Sequence, residues 1–538
     1  LPVRRQFGVS GDAVRTMYQL CGMADVYAAT RDYGWMAPLI NCWRDVTEKR
    51  MYVTGAVGNS ARTKGFTEPF DLPNESAWCE TCASIGMAMW QRRMLLQTRQ
   101  AAYADVLEQV LYNALLGGIS REGDAFFYDN PMESAGGIAR SPWYPKACCP
   151  TNAARFLPTI GGSVYAHDED DIYVVLFAAS ETEIQLGNGR VGIRQKTSYP
   201  WDGKVVFEIV PEKPMKFALH VRAPAWCVDP ITAGVNGATQ DVKINRGDYL
   251  GFWLTYERKW KRGDSLEIVM PMPVRRVRAD ERVAANAGRV ALQRGPLVYA
   301  FEGADNGGHA RHLSLPPDAV LQAKLDEELF GGTVVIQGPG KARSTRGAIA
   351  DALLTAIPYH LWGNRGPNEM VVWIPEAAGA AGAPGAGVSA SRGGVRVSAS
   401  HSYRHDTLIA LIDGILPADS FDRTVPRMTF LNHVGSKEWI VYEFSKERMV
   451  DSSRVYWYDD ASTGDGFCKP PYSWRLFWRR GEEWVPVKPL RGEFFFKLTN
   501  RFNDVKFEPV KTTAIRMELE LAAGRSAGML EWQVLDAN

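Results

Sequence analysis

Residues 77–96 read Ala-Trp-Cys-Glu-Thr-Cys-Ala-Ser-Ile-Gly-Met-Ala-Met-Trp-Gln-Arg-Arg-Met-Leu-Leu, an apolar stretch with helical periodicity that opens on a Cys-x-x-Cys motif. Similar helical patterns occur around Val14 to Cys21, from Met36 to Val46 and from Ala101 to Leu115. Glycine-rich breaks separate these stretches, as expected for antiparallel helices joined by loops. The sequence therefore predicts that residues 1–160 form an α-helical unit.

Beyond residue 160 the pattern becomes that of β-strands, as in Val205-Val-Phe-Glu-Ile-Val, and turn residues separate the runs. We expect residues 161–375 to form antiparallel β-sandwich structure. Residues 376–395 are dominated by Ala, Gly and Ser and are predicted to be a linker or a disordered insertion. Residues 396–538 are again strand-like and rich in Trp, which predicts a separate β-sandwich. The fold class is thus α + β with several domains.

Four of the eight cysteines form two short motifs, Cys79/Cys82 and Cys148/Cys149, whose nearest members lie 66 residues apart (82 to 148). Zinc takes about four ligands from Cys, His and carboxylates and keeps bound thiols deprotonated, so the two motifs together predict a metal site. A purely structural site of four thiolates is one alternative, and disulfides are another. The four remaining cysteines are scattered singly and are expected to be small core residues.

The amino-acid composition is that of a large protein whose balanced charge gives it no electrostatic preference for polyanions. The 538 residues are 46% hydrophobic, and 62 basic residues balance 61 acidic ones to a formal net charge of +1. A nucleic acid or an anionic membrane surface is therefore not expected as a partner. No apolar run reaches the roughly 20 residues that a membrane helix needs. The chain begins at Leu1 without Met, as in a mature or truncated product.

Several motifs together resemble glycoside hydrolase family 127, the β-L-arabinofuranosidase family, from about residue 8 to 375. The resemblance rests on Tyr52-Val-Thr-Gly-Ala-Val-Gly, Gly65-Phe-Thr-Glu-Pro-Phe-Asp-Leu-Pro-Asn, Glu80-Thr-Cys-Ala, Tyr103-Ala-Asp-Val-Leu-Glu, Leu111-Tyr-Asn, Phe126-Phe-Tyr-Asp-Asn-Pro, Trp143, Cys148-Cys-Pro-Thr-Asn-Ala-Ala-Arg, Val221-Arg-Ala-Pro-Ala-Trp, Arg294-Gly-Pro-Leu-Val-Tyr and Ala356-Ile-Pro-Tyr-His-Leu-Trp-Gly-Asn-Arg. The combination of Glu-Thr-Cys with Cys-Cys-Pro is highly specific.

The resemblance implies an (α/α)6 toroid followed by β-sandwiches, and it implies a zinc- and cysteine-dependent retaining glycosidase. Glu80, Cys82, Cys148 and Cys149 occupy the zinc-binding positions of the family, and Cys148 occupies the position of the nucleophile. A thiolate held in this way can attack an anomeric carbon, after which water releases the sugar with net retention. Tyr128 matches a position near the substrate, where it can hydrogen-bond either the nucleophilic sulfur or the sugar.

Three positions depart from the family pattern. Lys64 stands where the family has its acid/base Glu, and a lysine ammonium is ordinarily a weak acid at neutral pH, although a nearby cation and burial lower the pKa of lysines. Glu68 and Glu75 are alternative proton donors. Glu75, however, follows Asn74 at a predicted helix start, where the helix dipole stabilises a carboxylate without any catalytic role. Asp12 replaces a sugar-contacting His and is expected to accept hydrogen bonds from sugar hydroxyls. The third departure is a cysteine in place of a small apolar residue at position 79, which could compete for the metal.

The two ends of the chain carry further expectations. The toroid of the family has more helices before the Gly11 motif, so either an upstream segment or a partner chain, such as a second copy in a homo-oligomer, is expected to complete the ring. Asp413-Gly-Ile-Leu-Pro-Ala-Asp-Ser and Glu438-Trp-Ile-Val-Tyr-Glu-Phe resemble a discoidin-like module. The loops of such modules bind sugars and in some cases Ca²⁺, while a role as a structural brace stays equally open.

Three functional hypotheses result. The first is a retaining glycoside hydrolase that acts on terminal β-L-arabinofuranosides, or a related sugar, of a plant or bacterial glycan. The second is a divergent sugar lyase in which Lys64 acts as a base, and the third is a non-catalytic carbohydrate-binding relative that keeps its zinc for stability. The compartment stays open, with an exported or periplasmic bacterial enzyme favoured by the resemblance alone.

Overall fold

The computed structural model describes residues 2–537, except for 243–250, 344–348, 377–387, 393, 404–405, 432, 462–465 and 482. In this part of the chain the α-helices are α1 (Ala13–Thr30), α2 (Tyr33–Lys49), α3 (Thr81–Thr98), α4 (Ala101–Gln109) and α5 (Cys148–Phe156). A π-helical turn, Val110–Leu115, continues α4, and a 3-10 helix, Leu157–Ser163, continues α5. The described helices include none that is both long and apolar enough to cross a membrane.

The four predicted helical stretches are confirmed, but α3 begins four residues later than the pattern suggested. Residues 74–80 form a loop, and Cys79 has a φ of 42°, a left-handed conformation through which a right-handed helix cannot continue. Glu75 therefore does not lie at a helix start, contrary to the prediction. The predicted toroid stays a prediction, because the described residues contribute only the five α-helices given above.

The helices pack around one apolar core to which α1, α2, α3 and α4 contribute Met17, Leu39, Trp90 and Leu107, each at most 2% exposed. The helices α1 and α3 approach closely at Gly86. A Cβ atom at this position would lie 2.8 Å from the Cβ of Met17, so only glycine fits the contact. This tight pair fixes the first turn of α3, which carries Cys82, against α1.

Two sheets follow and enclose one core, as predicted for a sandwich. The six-stranded sheet has the order Ala238–Val242, Ile231–Val235, Asp264–Val269, Lys204–Pro211, Gly189–Thr197 and Ser180–Leu186. The four-stranded sheet has the order Phe252–Trp260, Met215–Ala223, Ile172–Val174 and Tyr165–His167. All neighbours are antiparallel except Ile172–Val174 and Met215–Ala223, which run parallel.

A ten-stranded sheet comes next, and it recruits a strand from the helical part of the chain. Its main path is Arg275–Val277, Arg289–Arg294, Leu297–Glu302, Ile349–Pro358, Thr333–Arg343 and Leu313–Ser314. The side strands are Gln322–Asp326, Glu369–Val371, Ile374–Pro375 and Glu133–Ala135. Because Glu133–Ala135 pairs with Glu369–Val371, the segment that leads towards α5 is fixed to this sheet.

The last unit is an eight-stranded sheet arrangement with its own core. Its strands are Val388–Arg392, Val395–Ala399, Lys437–Tyr458, Phe502–Glu520, Ser473–Arg480 and Glu483–Pro486, with Gly528–Asp536 and Met428–Thr429 at the side. Residues 377–387 of the predicted linker lie outside the described residues. The linker prediction is wrong for residues 388–392, which form a strand because their backbone pairs with Val395–Ala399.

A buried ion cluster joins the helical part to the middle sandwich. Arg222 is completely buried, and its guanidinium bonds Asp105 at 2.6 Å and also Glu108, both on α4. Trp226 donates a further hydrogen bond to Glu108 at 3.1 Å. The motif Val221-Arg-Ala-Pro-Ala-Trp thus holds α4 on the sandwich through charged hydrogen bonds inside the core.

Candidate active site and metal centre

Two helix N-termini meet at the cysteine motifs. Cys82 is the second residue of α3, and Cys149 is the second residue of α5, with Cys148 directly before it. The unpaired N–H groups and the positive end of the helix dipole favour negative charge at such positions. Thiolates are stabilised in this environment. The fold therefore brings together three sulfur atoms where two helices offer positive potential.

Glu80 completes a group of four ligand atoms that all lie within 4.8 Å of one another. The sulfur of Cys149 is 3.5 Å from that of Cys82 and 3.7 Å from that of Cys148, and Oε1 of Glu80 is 3.4 Å from the Cys148 sulfur. Tetrahedral zinc with Zn–S bonds of about 2.3 Å requires sulfur atoms about 3.8 Å apart. The donor set and its spacing therefore fit a zinc ion.

Cys79 does not belong to this group. Its thiol is fully buried in an apolar cluster, and its backbone N–H donates to the carbonyl of Gly58 at 2.7 Å. All eight cysteines are free thiols. The geometry therefore favours the set with one carboxylate over both the four-thiolate site and the disulfides.

Cys148 differs from the other three members of this group in its exposure and in the direction of its pKa shift. It is the exposed member of the group, whereas Glu80, Cys82 and Cys149 are buried. Hydrogen bonds from Cys149 and Cys82 lower the pKa of the Cys148 thiol well below its ordinary value, even though burial acts in the opposite direction. Burial raises the pKa of Glu80 to about 7. Of the three clustered thiols, Cys148 is therefore the one whose pKa is lowered, while the pKa values of Cys82 and Cys149 are raised by their hydrogen bonds to it.

Tyr128 lies against the exposed sulfur, with its hydroxyl oxygen 3.1 Å from Sγ of Cys148. Its backbone carbonyl accepts a hydrogen bond from the N–H of Thr81 at 3.1 Å, so the Tyr128 segment is tied to the start of α3. Asn130 adds hydrogen bonds to the Cys79 carbonyl and to Oγ1 of Thr81, both 2.9 Å. The motif Phe126-Phe-Tyr-Asp-Asn-Pro therefore positions the phenol beside the sulfur.

A short antiparallel pair, Gly11–Asp12 with Gly65–Phe66, forms the rim of the site. A Cβ atom at Gly65 would lie 1.6 Å from the Gly11 carbonyl oxygen, so this pairing requires glycine. Asp12 caps α1 by accepting a hydrogen bond from the Arg15 N–H at 2.9 Å. Lys64 precedes the pair with a φ of 51°, and its carbonyl accepts a hydrogen bond from Ala13 at 2.9 Å.

These residues line one cavity of about 610 Å³, within the range of small-molecule sites. Asp12, Lys64, Tyr128 and Cys148 all reach it. The Lys64 ammonium lies 5.9 Å from the ring centre of Trp78 and 5.7 Å from that of Tyr128, a distance at which a cation interacts with aromatic rings. The structure thus brings the predicted nucleophile, lysine and substrate contacts to one cavity.

Two predicted alternatives lie elsewhere. Glu68 is exposed and is not among the residues that line the cavity. Glu75 pairs with Arg311 at 3.0 Å, and Arg311 also binds Glu133 at 2.8 Å, so Glu75 belongs to an ion cluster outside this cavity. Neither Glu68 nor Glu75 therefore lines the cavity in which Lys64 would act as proton donor.

Sequence reasoning missed a polar helix face that completes the cavity. Thr151, Asn152 and Arg155 line it together with Tyr18. Asn152 donates to the Tyr18 hydroxyl at 2.6 Å and accepts from Arg155 at 2.7 Å. The spacing of these residues could have predicted this face, because positions 148, 151, 152 and 155 lie on the same side of a helix.

Three profiles of one family match the chain in sequence order. The profile described as "Beta-L-arabinofuranosidase, GH127 catalytic domain" matches residues 1–162, the GH127 middle domain matches 171–272, and the "Glycoside hydrolase family 127 C-terminal domain" matches 274–375. These bounds follow the helical part, the two-sheet sandwich and most of the ten-stranded sheet.

Individual relatives agree with the profiles. A non-reducing end β-L-arabinofuranosidase of Bifidobacterium longum subsp. longum is 32% identical over 411 residues, which are 69% of this chain and 60% of the relative. The crystal structure of a GH127 β-L-arabinofuranosidase from Geobacillus stearothermophilus T6 is 38% identical and superposes with a TM-score of 0.66 over 70% of this chain and 62% of its own. A further solved structure, described as a glycoside hydrolase, is 31% identical with the same TM-score over 70% of this chain and 68% of its own.

This chain thus spans about 60% of the length of the first two relatives. Its match covers the helical part and the two sheet regions that follow, where the catalytic, middle and C-terminal domain profiles of the family match in that order. The chain belongs to glycoside hydrolase family 127.

Proposed function

We propose that this protein is a retaining glycoside hydrolase that releases terminal β-L-arabinofuranosyl groups from a glycan, with Cys148 as the nucleophile. The observation that carries the proposal is the exposed Cys148 sulfur, which faces a sugar-sized cavity while the other three members of its cluster are buried. The names of the relatives support the choice of sugar. When bound, a zinc ion held by Glu80, Cys82, Cys148 and Cys149 would keep the thiols deprotonated.

In the first step the Cys148 sulfur attacks the anomeric carbon, so that an S–C bond forms as the glycosidic C–O bond breaks. The leaving oxygen needs a proton, and Lys64 is the cavity-lining residue that we assign as its donor. Tyr128, 3.1 Å from the sulfur, donates a hydrogen bond that holds Cys148 in position.

In the second step water attacks the anomeric carbon from the side that the leaving group vacated. The neutral Lys64 amine takes a proton from this water, and Cys148 leaves as the thiolate. Two inversions at the same carbon give net retention. Asp12 and Asn152 line the same cavity and are available to bind sugar hydroxyls.

The test uses 4-nitrophenyl β-L-arabinofuranoside as substrate. Acid quenching during turnover followed by peptide mass spectrometry should find one pentosyl group on the peptide that carries Cys148, and Cys148→Ser should abolish turnover while the circular dichroism spectrum stays native. A pentosyl group on another peptide, or normal turnover by Cys148→Ser, would refute the assignment of the nucleophile.

Lys64 requires a separate comparison. Lys64→Met should slow the cleavage of a glycoside with an alkyl leaving group far more than that of the nitrophenyl glycoside, because nitrophenolate leaves without protonation. Glu68→Gln is the matched variant, and a selective loss there instead would transfer the role to Glu68. An unsaturated product that absorbs in the near ultraviolet would identify a lyase reaction in place of hydrolysis.

A further inference from the structure

A second cavity, of about 290 Å³, lies between the helical part of the chain and the last β-sheet unit. Ser60 and Arg62 from the loop before Lys64 form one wall, and Asp406, Arg423 and Arg427 from the last unit form the opposite wall. Neither wall belongs to the cavity that contains Cys148. The volume is near the lower limit for small-molecule sites and suits a group of the size of one sugar ring.

Trp78 connects this intermodule cavity to the active site. Its side chain lines the intermodule cavity, and its indole N–H donates to Oε2 of Glu80 at 3.1 Å. The ring of Trp78 also lies 5.6 Å from that of Tyr128, which lines the active-site cavity. Trp78 therefore contacts the lining of both cavities, and the intermodule cavity is a neighbour of the active site.

The intermodule cavity has an excess of positive charge. Arg427 is held in place by Asp406 at 3.1 Å and by the Tyr458 hydroxyl at 3.1 Å, and the Asp406 carboxylate is only 2% exposed. Arg62 and Arg423 form no ion pair with any carboxylate of the described residues. The guanidinium of Arg423 instead lies over the ring of Phe421 at 4.3 Å. Three arginines against one aspartate leave a formal charge of +2 at the walls.

Guanidinium groups recognise carboxylates and sulfates through paired charge-assisted hydrogen bonds. An indole offers an apolar face against which the C–H groups of a sugar ring can pack. The intermodule cavity combines both features, and Trp78 in its wall contacts Glu80 and Tyr128 of the active site. A neutral glycan would leave Arg62 and Arg423 without a counter-charge.

We propose that the intermodule cavity binds an acidic sugar residue in the leaving group of the glycan, through Arg62, Arg423 and Arg427. The proposal rests on the proposed function for the direction in which the substrate runs. Uronic acids and sulfated sugars share the anionic chemistry, and binding measurements can separate the two. The last β-sheet unit thereby becomes part of the substrate site and takes a share in specificity.

Binding is measured by isothermal titration calorimetry on the full chain loaded with zinc. The probes are the methyl glycosides of glucuronic and galacturonic acid, the methyl ester of each, and galactose 6-sulfate. Esterification removes the charge and keeps the ring, so we expect the acids to bind at least about tenfold more tightly than their esters. Binding of the sulfated sugar with no preference for the acids over the esters would identify a sulfate as the natural group.

Two variants locate the binding, and a third is the control. Arg423→Gln and Arg62→Gln should each weaken the binding of the acidic probe about tenfold or more. Arg480→Gln is the matched control, because Arg480 is also exposed, belongs to the same β-sheet unit as Arg423 and lies 5.9 Å from the Trp478 ring. Equal binding of every charged and uncharged probe, or wild-type binding by both cavity variants, would overturn the proposal.

Failure of the two proposals can be distinguished. Hydrolysis of 4-nitrophenyl β-L-arabinofuranoside by the wild-type protein tests the proposed function without any acidic group. Hydrolysis without binding of the acidic probes refutes the intermodule site alone. Binding that depends on Arg423 without hydrolysis of any arabinofuranoside refutes the proposed function and leaves the anion site in place.

Discussion

The ligand set of the proposed metal centre can be tested by exchanging single cysteines, with Cys79 as an internal control. Cys82 and Cys149 contribute sulfurs 3.5 Å apart, whereas the Cys79 thiol lies in an apolar cluster three residues from Cys82. Four-ligand zinc sites in small domains bind with about 10–16 kcal/mol, or roughly 2.5–4 kcal/mol per ligand if the four share it equally. Since 1.4 kcal/mol is a factor of about ten, Cys149→Ser should weaken zinc binding by about 10²- to 10³-fold.

The assay is a competition titration against a chromophoric zinc chelator, together with elemental analysis of the dialysed protein. The native chain and Cys79→Ser should retain about one zinc per chain, whereas Cys149→Ser and Cys82→Ser should lose it at the same chelator concentration. Thermal unfolding of each variant verifies that the chain is folded. The reasoning is refuted if Cys79→Ser loses zinc as readily as Cys149→Ser, or if Cys149→Ser binds zinc as tightly as the native chain.

Three further predictions concern stability and the rim of the site. Arg222→Met should lower the free energy of unfolding in urea by about 3–5 kcal/mol, because two buried carboxylates lose their counter-charge; a loss of about 1 kcal/mol or less, the value of a surface pair, contradicts this. Burial raises the pKa of Glu75 from 4.5 to about 7. Between these pH values the folded state holds a proton that the unfolded state has lost, so the free energy of unfolding should fall as the pH rises from about 4.5 to about 7. Glu75→Gln should flatten this fall in urea titrations, and an unchanged dependence of the free energy of unfolding on pH contradicts the assignment. Gly65→Ala should reduce turnover by displacing the rim, since its Cβ would lie 1.6 Å from a backbone oxygen. The control is Gly22→Ala, in open space on α1, which should raise the free energy of unfolding by about 0.5–1 kcal/mol with unchanged turnover. Equal turnover of the two variants would contradict the role of the rim.

The helices could be predicted from the sequence because their periodicity reports one buried face. The pattern from Met36 to Val46 lies inside α2, where Met36, Leu39 and Val46 are at most 3% exposed. The start of α3 could not be read in this way, because Ala77, Trp78 and Cys79 continue the apolar pattern of the helix that follows. The left-handed backbone at Cys79 is accompanied by a hydrogen bond from its N–H to the Gly58 carbonyl, a contact that lies outside any local pattern.

The candidate site divides in the same manner. The convergence of Cys82 with Cys148 and Cys149 follows from motifs whose spacing suits a metal. The location of Lys64 instead depends on the pairing of Gly65 with the distant Gly11–Asp12 segment, a non-local contact that composition does not encode. The buried ion pairs of Arg222 could not be predicted either, since their partners on α4 lie more than 100 positions earlier in the chain.

The intermodule cavity could not be predicted because neither of its walls is complete alone. Arg62 lies in the helical part of the chain, and Arg423 lies 361 positions later (62 to 423) in the last unit. Each residue, viewed in its own segment, is an ordinary exposed arginine. Only the packing of the two units makes their charges neighbours.

The short sulfur–sulfur distances also have a consequence for oxidation. Cys82 and Cys149 lie 3.5 Å apart, and Cys148 and Cys149 lie 3.7 Å apart. In a metal-free chain the first pair needs only a small side-chain movement to reach the bond length of about 2.05 Å of a disulfide. Such a bond would consume two ligand sulfurs, and zinc could then not return until a reductant had opened it. Loss of a bound metal in air should therefore become irreversible through disulfide formation. Activity that is lost to a chelator should return only when zinc and a thiol reductant are supplied together.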